Sequence, residues 1–279
     1  MKTLIIGCGY IGLPLALELR GRGDSVTPWV HSEQGSRGAR GEGFAEIVIG
    51  SVADRDVWNG VRGEYDLIIH CASSGRGDAT AYAEVFREGM REVAARQPKA
   101  RKIFVSSTSV YAQQKGEIVT EASAAKPFTA TGKVLCEAEE ISLGAGATVV
   151  RSSGIYGPGR GVLFEKFRRG EAVMEGDGLR WMNQIHQRDL VAALELLVAA
   201  GASGEIYNAT DDTPVMQRDY YAWCAEFLGK AMPPEGPGNV ERKRGLTSKR
   251  VSNAKLRATG WVPAYPSFRE GLVADYSPR

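Results

Sequence analysis

The stretch "TLIIGCGYIG" (residues 3–12) decides the fold that the rest of the chain must complete. An apolar strand pattern runs directly into glycines at positions 7, 9 and 12, and these open a helical pattern. In this context Gly7 permits a tight turn, Gly9 lets the backbone approach a pyrophosphate, and Gly12 lets the helix pack on the strand. The N–H groups at the start of the helix face the same anion. The stretch therefore predicts a dinucleotide-binding turn, and the alternative is a glycine-rich turn without a ligand.

Outward from this turn, short apolar runs alternate with helical patterns, which is typical of a parallel sheet covered by helices on both faces. The near-continuous apolar character of the runs is that of strands buried on both faces. The predicted strands are 3–6, 25–30, 45–49, 66–70, 102–106 and 147–151, and the predicted helices are 11–20, 81–97 and 131–142. We therefore predict an α/β fold, a Rossmann-type doubly wound parallel sheet with a smaller C-terminal α/β substrate lobe.

The pattern becomes less regular beyond about residue 155, where helices are predicted at 188–200 and 219–229 and a strand at 204–210. We predict that residues 1–155 form an NAD(P)-binding domain, to which 181–200 return. Residues 156–279 are then mainly a substrate-binding lobe. The proline- and glycine-rich segment 231–245 predicts an exposed loop, either a solvated connector or a lid over the substrate.

The composition excludes several classes of protein. With 279 residues, 43% of them apolar, the chain can bury a large core in one big domain or two unequal ones. Its 35 basic and 33 acidic residues nearly balance, so no field favours nucleic acid or an anionic membrane. The four cysteines form no CxxC pair and the three histidines are scattered, so no metal site is predicted. We read the cysteines as buried thiols of a cytoplasmic protein, since neither a signal peptide nor a membrane span is visible.

The end of the second predicted strand bears on the choice of cofactor. An acidic residue about 20 positions after the glycines would hold the adenosine ribose of NAD. Here the strand is followed by His31 and Ser32. Asp24 precedes the strand in a turn, and Glu33 lies just past the expected position as a weak candidate.

The stretch "HSEQGSRGARGEG" (31–43) predicts a flexible glycine-rich loop. Such a loop could close Ser32, Arg37 and Arg40 on a 2'-phosphate, because arginine forks bind phosphate well. We therefore predict NADP as the preferred cofactor, with NAD as the alternative. The simpler interpretation is a mobile basic loop without a ligand.

Further stretches follow in a recognisable order. They are "HCASSG" (70–75), "VSSTSVY" (105–111), the spaced Pro127, Thr129, Lys133 and Glu137, "SSGIYGPG" (152–159) and "IHQRDLVAAL" (185–194). With the glycine turn, they make the chain resemble the extended short-chain dehydrogenases/reductases, the family of NAD-dependent nucleotide-sugar epimerases, dehydratases and related reductases. The resemblance runs nearly end to end. It implies a cofactor-binding set of Gly7, Gly9, Tyr10, Ile11, Gly12, His31, Ser32, Arg37, Ser51, Val52, Cys71, Ala72, Ser73, Ser106 and Lys133.

The resemblance also implies an active site with one member replaced. Ser107, four residues before Tyr111, matches the catalytic serine. Lys133 matches the lysine that binds the nicotinamide ribose and lowers the pKa of an acid–base tyrosine. Thr129 stands where that tyrosine is expected, so the chain resembles atypical members of the family. Two further departures are Ala112 in place of a glycine and the GxGxxG spacing itself.

The replacement changes the available chemistry. A phenol with a pKa near 10 can be lowered toward working pH by a neighbouring cation, whereas the pKa of an aliphatic alcohol stays far above it. Thr129 can form a hydrogen bond to a substrate or pass a proton along, and it can equally serve as a helix N-cap. His186 and Tyr156 are then candidate proton donors, with Tyr111 and Glu121 as lesser ones. Four polar residues would line the family's substrate cleft: Arg151, Arg160, Asn183 and Arg188.

Three interpretations of function remain. The first is an NAD(P)-dependent oxidoreductase or epimerase acting by hydride transfer on a sugar or sugar-nucleotide-like substrate, with Ser107, Thr129, Lys133, His186 and Tyr156 as catalytic residues. The second is a catalytically reduced NAD(P)-binding sensor or regulatory protein. The third is a non-redox enzyme or scaffold, which no motif supports. A homodimer could form through residues 78–97 and 131–140.

Overall fold

The computed structural model describes residues 1–75, 77–200, 203–237 and 247–277. The chain divides into two compact units. Unit 1 comprises Met1–Val110, Pro127–Arg151 and Val191–Tyr207, and unit 2 comprises Tyr111–Lys126, Ser152–Leu190 and Asn208–Arg279. The chain thus enters unit 2 for residues 111–126 well before residue 155, and 191–207 return to unit 1.

The strands of the described residues fall into one large and four small sheets. In chain order they are β1 (Lys2–Ile6), β2 (Ser25–Val30), β3 (Val48–Ile49), β4 (Leu67–His70), β5 (Arg101–Ser107), β6 (Glu117–Val119), β7 (Thr148–Ser152), β8 (Gly154–Tyr156), β9 (Met174–Glu175), β10 (Trp181–Met182), β11 (Gln184–His186), β12 (Ile206–Ala209), β13 (Val215–Met216), β14 (Glu235–Gly236) and β15 (Lys249–Val251).

The helices of the same residues follow in the same way. They are α1 (Gly12–Gly21), α2 (Glu33–Gly41), α3 (Arg55–Asn59), α4 (Ala79–Tyr82), α5 (Gly89–Arg96), α6 (Ala130–Gly144), α7 (Val162–Arg168), α8 (Gln187–Ala200), α9 (Gln217–Leu228), α10 (Ala254–Arg257) and α11 (Phe268–Tyr276). A π-helical segment (Ala83–Glu88) joins α4 to α5, and a 3₁₀ turn (Thr108–Val110) follows β5. None of these helices is both long and apolar enough to cross a lipid bilayer.

The seven-stranded sheet has the order β12-β7-β5-β4-β1-β2-β3. Strands β1 and β2, β2 and β3, β1 and β4, and β4 and β5 pair in parallel. The order reverses at β1, and ligands of doubly wound sheets bind beyond the strand ends at such a reversal. This confirms the predicted fold class and puts the glycine turn, which follows β1, at the expected place.

The central strands are apolar because both of their faces are covered. Leu4 and Ile5 of β1 and Leu67 and Ile69 of β4 have no exposed surface. Burial on both faces explains why these strands read as continuous apolar runs instead of alternating patterns. The predicted strand at 45–49 is shorter than expected, since β3 includes only Val48 and Ile49.

The stretch 31–43, expected to be a flexible loop, is wrongly predicted, because most of it forms helix α2. The hydroxyl of Ser32 caps this helix by accepting the N–H of Gly35 at 3.2 Å. Arg40 donates to the carboxylate of Glu33 at 3.1 Å and to the hydroxyl of Ser36 at 3.0 Å. A cap and a charged pair thus offset the low helix propensity of its glycines.

The helix predicted at 81–97 is present, but its middle is the π-helical segment. His70, at the end of β4, places its Nε2 atom 3.0 Å from the carbonyl oxygen of Val85 in this segment. A carbonyl only accepts hydrogen bonds, so Nε2 carries the proton. Burial lowers the pKa of His70 to about 4, which keeps the ring neutral.

Unit 2 packs its own core of aromatic, sulfur-containing and aliphatic side chains. The core comprises Tyr156, Phe164, Phe167, Ala172, Met174, Met182, Val215, Tyr220, Tyr221, Cys224, Phe268 and Leu272. The predicted helix at 219–229 and strand at 204–210 correspond to α9 and β12. Of the predicted loop 231–245, the described part ends at residue 237 and includes the short strand β14, which pairs in parallel with β9. Residues 238–245 lie outside the described residues.

Candidate cofactor and active site

The three glycines of the turn differ in the space around their Cα atoms. Gly7 has φ +91°, and a Cβ there would lie 2.2 Å from the Cα atom of Ala72. A Cβ at Gly12 would lie 2.4 Å from the carbonyl oxygen of Gly7. A Cβ at Gly9 would meet no atom within 4 Å. Gly7 and Gly12 are therefore required by the fold itself, whereas Gly9 leaves exposed space beside the backbone.

Helix α1 begins at this turn without a side-chain cap. Ile11, its N-cap residue, supplies no hydrogen-bond acceptor, and no acidic residue lies in the first turn. The N–H groups of Gly7 and Cys8 donate to the carbonyl of Trp29 at 2.9 and 3.0 Å, which fixes the turn against β2. The helix start keeps its partial positive charge and an exposed approach at Gly9. These features fit the pyrophosphate of a dinucleotide.

Helix α2, which follows β2, carries two arginines, of which only one forms hydrogen bonds with neighbouring side chains among the described residues. Arg40 is held by Glu33 and Ser36, as described above. Arg37 is exposed on α2 and makes no hydrogen bond or ion pair with another described residue. His31 and Ser32 are exposed between β2 and α2, and the Ser32 oxygen already accepts the helix N–H.

Other residues of the predicted cofactor set lie after β3 and β4. The hydroxyl of Ser51 donates to the carboxylate of Glu84 at 2.7 Å, and Val52 is buried. The thiol of Cys71 lies 3.5 Å from the carbonyl oxygen of Gly7, and Ala72 packs on Gly7. Ser73 is exposed. Cys71 and Ala72 therefore line the glycine turn directly. All four cysteines of the chain keep their thiols, two of them only half buried.

Three predicted catalytic residues belong to β5 and α6 of unit 1. Ser107 ends β5, and its hydroxyl oxygen accepts the N–H of Ser109 at 3.2 Å. Thr129 is the N-cap of α6, because its hydroxyl oxygen accepts the N–H of Gly132 at 3.1 Å. Lys133 lies in the first turn of the same helix. Its side chain is exposed and makes no hydrogen bond or ion pair with a described residue.

The hydroxyl of Thr129 retains a donor and an acceptor site. A hydroxyl has one proton and two lone pairs, and the Gly132 N–H uses one lone pair. The corner is tightly built, since a Cβ at Gly132 would lie 2.5 Å from Cβ of Pro127 and 2.9 Å from the Thr129 hydroxyl oxygen. The threonine can therefore relay a proton from a held position, although it cannot ionise as a phenol does.

Ser106, predicted to contact the cofactor, uses its hydroxyl in the core. It donates to Glu139 of α6 at 2.6 Å, and Glu139 is paired with Arg151 of β7. Arg151, predicted to line a substrate cleft, is therefore buried in unit 1. Glu139 was not predicted from the sequence, because its partners are distant along the chain.

In unit 2 the two candidate proton donors are buried. Tyr156 donates its hydroxyl to the carbonyl of Ser267 at 3.2 Å, and burial raises the pKa of the phenol. The ring of His186 has no exposed surface. Its Nδ1 accepts the N–H of Arg188 and its Nε2 lies 3.2 Å from Asp275, so Nε2 carries the proton. Burial lowers the pKa of His186 despite the aspartate. The contacts of both side chains favour a structural role.

Several other polar residues that were predicted to belong to the site form hydrogen bonds within unit 2. Tyr111 donates to the side chain of Asn208 at 2.9 Å, and Glu121 accepts the Asn208 N–H at 2.8 Å. Asn183 accepts the N–H of Val251 and donates to the carbonyl of Lys249. The backbone of Arg160 forms an isolated antiparallel β-bridge with that of Gly157.

Asp189 and Arg188 lie at the start of α8. Asp189 lies inside this helix, and its carboxylate accepts the N–H groups of Ala264 and Tyr265 at 2.7 and 3.0 Å. The carboxylate therefore fixes the segment before α11. Arg188 donates to the hydroxyl of Tyr265 at 3.2 Å.

Lys249 was not predicted from the sequence as a residue with a special environment. The side chain is buried in unit 2. Its ammonium donates to the carbonyl of Tyr111 at 2.9 Å and to the hydroxyl of Thr247 at 2.6 Å. It forms no ion pair with a carboxylate of the described residues, and burial lowers its pKa to about 8. No local pattern distinguishes it from exposed lysines.

Comparison with known proteins links this arrangement to a family. The sequence model of the NAD dependent epimerase/dehydratase family matches residues 3–210. Protein YeeZ of Escherichia coli (strain K12) is 30% identical over 263 residues, covering 90% of this chain and 93% of that protein.

Two solved structures extend the likeness over almost the whole chain. A putative NAD-dependent epimerase/dehydratase from Methylobacillus flagellatus has 28% identity and a TM-score of 0.78, covering 98% of this chain and 97% of that one. A double mutant of dTDP-glucose 4,6-dehydratase from Streptomyces venezuelae, with NAD and DAU bound, has a TM-score of 0.83 at 20% identity. It covers 99% of this chain and 95% of its own. At that identity the likeness shows a shared fold.

Proposed function

The chain belongs to the NAD dependent epimerase/dehydratase family, and from that membership we propose that it is an oxidoreductase or epimerase-type enzyme acting by hydride transfer on a sugar or sugar-nucleotide-like substrate. Membership confirms the resemblance stated from the sequence and the prediction of an NAD-dependent enzyme of the epimerase, dehydratase or reductase type. The substrate class, the proton donor and the preference for NADP belong to the proposal.

The observation that carries the proposal is the open space at Gly9 between two closely packed glycines. The fold alone requires no glycine at position 9, because a Cβ there would touch nothing. An anion approaching the uncapped start of α1 accounts for the missing side chain. In the proposed complex Gly9, Tyr10, Ile11 and Gly12 bind the pyrophosphate.

The remaining cofactor contacts follow from the same strand ends. Cys71 and Ala72 lie beside the turn, the exposed Ser73 follows them in the chain, and Lys133 extends an exposed ammonium that can hold the nicotinamide ribose. When bound, the nicotinamide ring supplies the hydride chemistry. The protein contributes orientation, hydrogen bonds and a positive charge near the reacting oxygen.

We assign the proton relay to Thr129 and Lys133. The threonine hydroxyl donates its proton to a substrate oxygen while its unused lone pair accepts a proton that the Lys133 ammonium gives up, which leaves the lysine as a neutral amine until it regains a proton from solvent. Ser107 donates a second hydrogen bond to the same oxygen. This assignment does not need His186 or Tyr156, whose polar atoms are already bonded inside unit 2.

We further propose that NADP is preferred, with Arg37 and Ser32 binding the 2'-phosphate. The support is that β2 is followed by no acidic residue before Glu33, and that Glu33 is paired with Arg40. Arg37 makes no bond with a described residue and lies in the second turn of α2. Unit 2 then carries most of the substrate-recognition residues, and a homodimer and a cytoplasmic location remain part of the proposal.

The second candidate is an NAD(P)-binding sensor without turnover. One observation favours it: the Thr129 hydroxyl has a sufficient structural reason to be present as the cap of α6. Thr129→Tyr separates the two. If the native chain lost its chemistry, the tyrosine variant should create or strongly raise turnover of nucleotide sugars. If the chemistry was rebuilt around threonine, the variant should lower native turnover.

Turnover measurements on single variants test the enzyme directly. With NADPH or NADH and a panel of keto sugars and nucleotide sugars, Lys133→Ala and Ser107→Ala should each abolish turnover. Lys126→Ala, which also removes an exposed lysine, is the matched control and should retain it. Full activity in both Lys133→Ala and Ser107→Ala would remove the site assignment.

A further inference from the structure

Three polar side chains from three elements of unit 1 meet in its buried interior. Ser106 of β5 donates its hydroxyl to Oε1 of Glu139 on α6 at 2.6 Å. Arg151 of β7 lies with Nε 3.0 Å from Oε1 and Nη2 2.6 Å from Oε2 of the same carboxylate. The arginine and glutamate side chains are only 5% and 4% exposed.

A buried ion pair contributes little net stability to the packing of a helix on a sheet. Burying two charges costs desolvation free energy, and well-packed apolar side chains often stabilise as much or more. What an ion pair adds is direction, because a forked arginine fixes a carboxylate in a plane. Apolar packing alone tolerates small rotations and shifts of a helix along a strand. The best-attested use of buried polar pairs is to fix such a register.

The elements that meet here also carry the proposed active site. Ser106 is followed directly by Ser107, and Thr129 is the N-cap of α6, which exposes Lys133 one turn later. Successive side chains of a strand point to opposite faces, so the Ser106 hydroxyl can be fixed without engaging that of Ser107. The bond between Ser106 and Glu139 is therefore a direct polar link between the serine strand and the threonine–lysine helix.

We propose that Ser106 is a positioning residue, which acts through Glu139 and Arg151 to fix the rotation and axial register of α6 against β5. Its role is to place Thr129 and Lys133 relative to Ser107, and it rests on the function proposed above for that site. Ser106 itself touches neither cofactor nor substrate through its hydroxyl in this account.

The size of the effect follows from helix geometry. Side-chain ends lie about 5–6 Å from the axis of a helix, so a rotation of about 10° moves them by about 1 Å. A misplacement of about 1 Å can cost about 100-fold in rate. A threonine is shorter than a tyrosine and has no flexible reach with which to compensate. The register of α6 is therefore more critical here than with a phenol at position 129.

The test compares Ser106→Ala with a matched control on the same helix. Ser142 is also fully buried, and its hydroxyl donates to the carbonyl of Ala138 at 2.6 Å, within α6. Ser106→Ala should lower kcat about tenfold or more, with KM and the Kd for NADPH changed less than about twofold. Ser142→Ala should leave kcat within about twofold of the wild type. Both are assayed well below their melting temperatures, so that only folded protein is compared.

The outcomes separate this inference from the proposed function. Wild-type protein that neither binds NADPH or NADH nor turns over a substrate overturns the proposed function, and the positioning role with it. Active wild type with a Ser106→Ala variant of normal kcat overturns the positioning role alone. Equal losses of kcat in Ser106→Ala and Ser142→Ala would also overturn it, because they would show a general sensitivity of α6 to buried serine loss.

Discussion

The hydroxyl oxygen of Thr129 lies 3.1 Å from the backbone nitrogen of Gly132 and accepts its hydrogen bond. The residue that the sequence resemblance matches to the family's tyrosine is therefore also the N-cap of the helix that carries Lys133. One side chain serves as N-cap and, in the proposed mechanism, as proton relay. The two roles have different requirements, since a cap needs only an acceptor oxygen whereas a relay also needs the hydroxyl proton.

Thr129→Ala should lower both stability and activity. Loss of the cap should reduce the free energy of unfolding by about 1 kcal/mol. Loss of the hydroxyl should lower kcat by about 100-fold. Thr129→Ser should preserve both properties, and Thr129→Asn should preserve the cap while removing the hydroxyl. Denaturant unfolding and turnover are measured on all three variants, and an asparagine variant with wild-type kcat would rule out the relay.

Arg37→Ala should weaken NADPH binding about tenfold or more and leave NADH binding nearly unchanged, because the lost guanidinium faces the 2'-phosphate in the proposed complex. Arg40→Ala is the control on the same helix, since Arg40 is already engaged by Glu33 and Ser36. The Kd values come from titrations followed by tryptophan emission. Tighter binding of NADH than of NADPH by the wild type would overturn the preference for NADP.

Lys249 should make stability depend on pH above neutrality. Burial lowers its pKa to about 8 from an ordinary value of 10.5. Between these values the unfolded chain holds more protons than the folded one, so the free energy of unfolding rises with pH in this window. The stabilisation is complete above about 10.5 and is lost as pH falls from there through the folded-state pKa of about 8. The shift corresponds to roughly 3 kcal/mol. The groups facing the ammonium are the Tyr111 carbonyl and the Thr247 hydroxyl.

The measurement is the difference in unfolding free energy between wild type and Lys249→Met from pH 7 to 10.5. This difference should grow in favour of the wild type above pH 8. Lys115→Met, which removes an exposed lysine of the same unit, should give a constant difference. A constant difference for Lys249→Met as well would contradict the burial argument.

His186→Ala should lower the free energy of unfolding and leave turnover nearly unchanged. The imidazole is fully buried, bonds Asp275 through Nε2 and accepts the Arg188 N–H through Nδ1. Its removal leaves a cavity and a buried carboxylate without its ring partner, at a cost of about 3 kcal/mol. The kcat of the folded protein should stay within about threefold. A loss of about 100-fold in kcat at unchanged stability would instead identify His186 as the proton donor.

Those parts of the fold that are determined by residues close together in the chain could be predicted from the sequence. Runs such as Leu4 to Ile6 are apolar because the strand is covered on both sides, and Gly7 reflects a positive φ and a backbone contact. Helix α2 was missed because its glycines and arginines have no apolar stripe. Its stability depends on the Ser32 cap and the pairing of Arg40 with Glu33, two short-range details that a propensity argument underweights.

The rest depends on contacts between residues that are distant along the chain. Ser106 and Glu139 are 33 positions apart, and Lys249 and Tyr111 are 138 apart. A serine or lysine reads the same in the sequence whether it is exposed or bonded in the interior. The family resemblance implied a cofactor contact for Ser106, and motif position made His186 and Tyr156 candidate proton donors, whereas the fold buries all three side chains.

The central claim is that the glycine turn binds a nicotinamide dinucleotide, and Gly9→Ala tests it most directly. Because a Cβ at position 9 meets nothing in the protein, the variant should keep the wild-type melting temperature. In the proposed complex the same methyl group would occupy the space that the pyrophosphate needs. Gly21→Ala, at the other end of α1 and equally open, is the control.

NADPH and NADH are titrated into wild type, Gly9→Ala and Gly21→Ala by calorimetry. The account predicts one binding site per chain in the wild type and in Gly21→Ala, and an affinity about tenfold weaker or worse in Gly9→Ala at unchanged stability. Equal affinity in Gly9→Ala and the wild type, or no binding of either cofactor to the wild type, would contradict it.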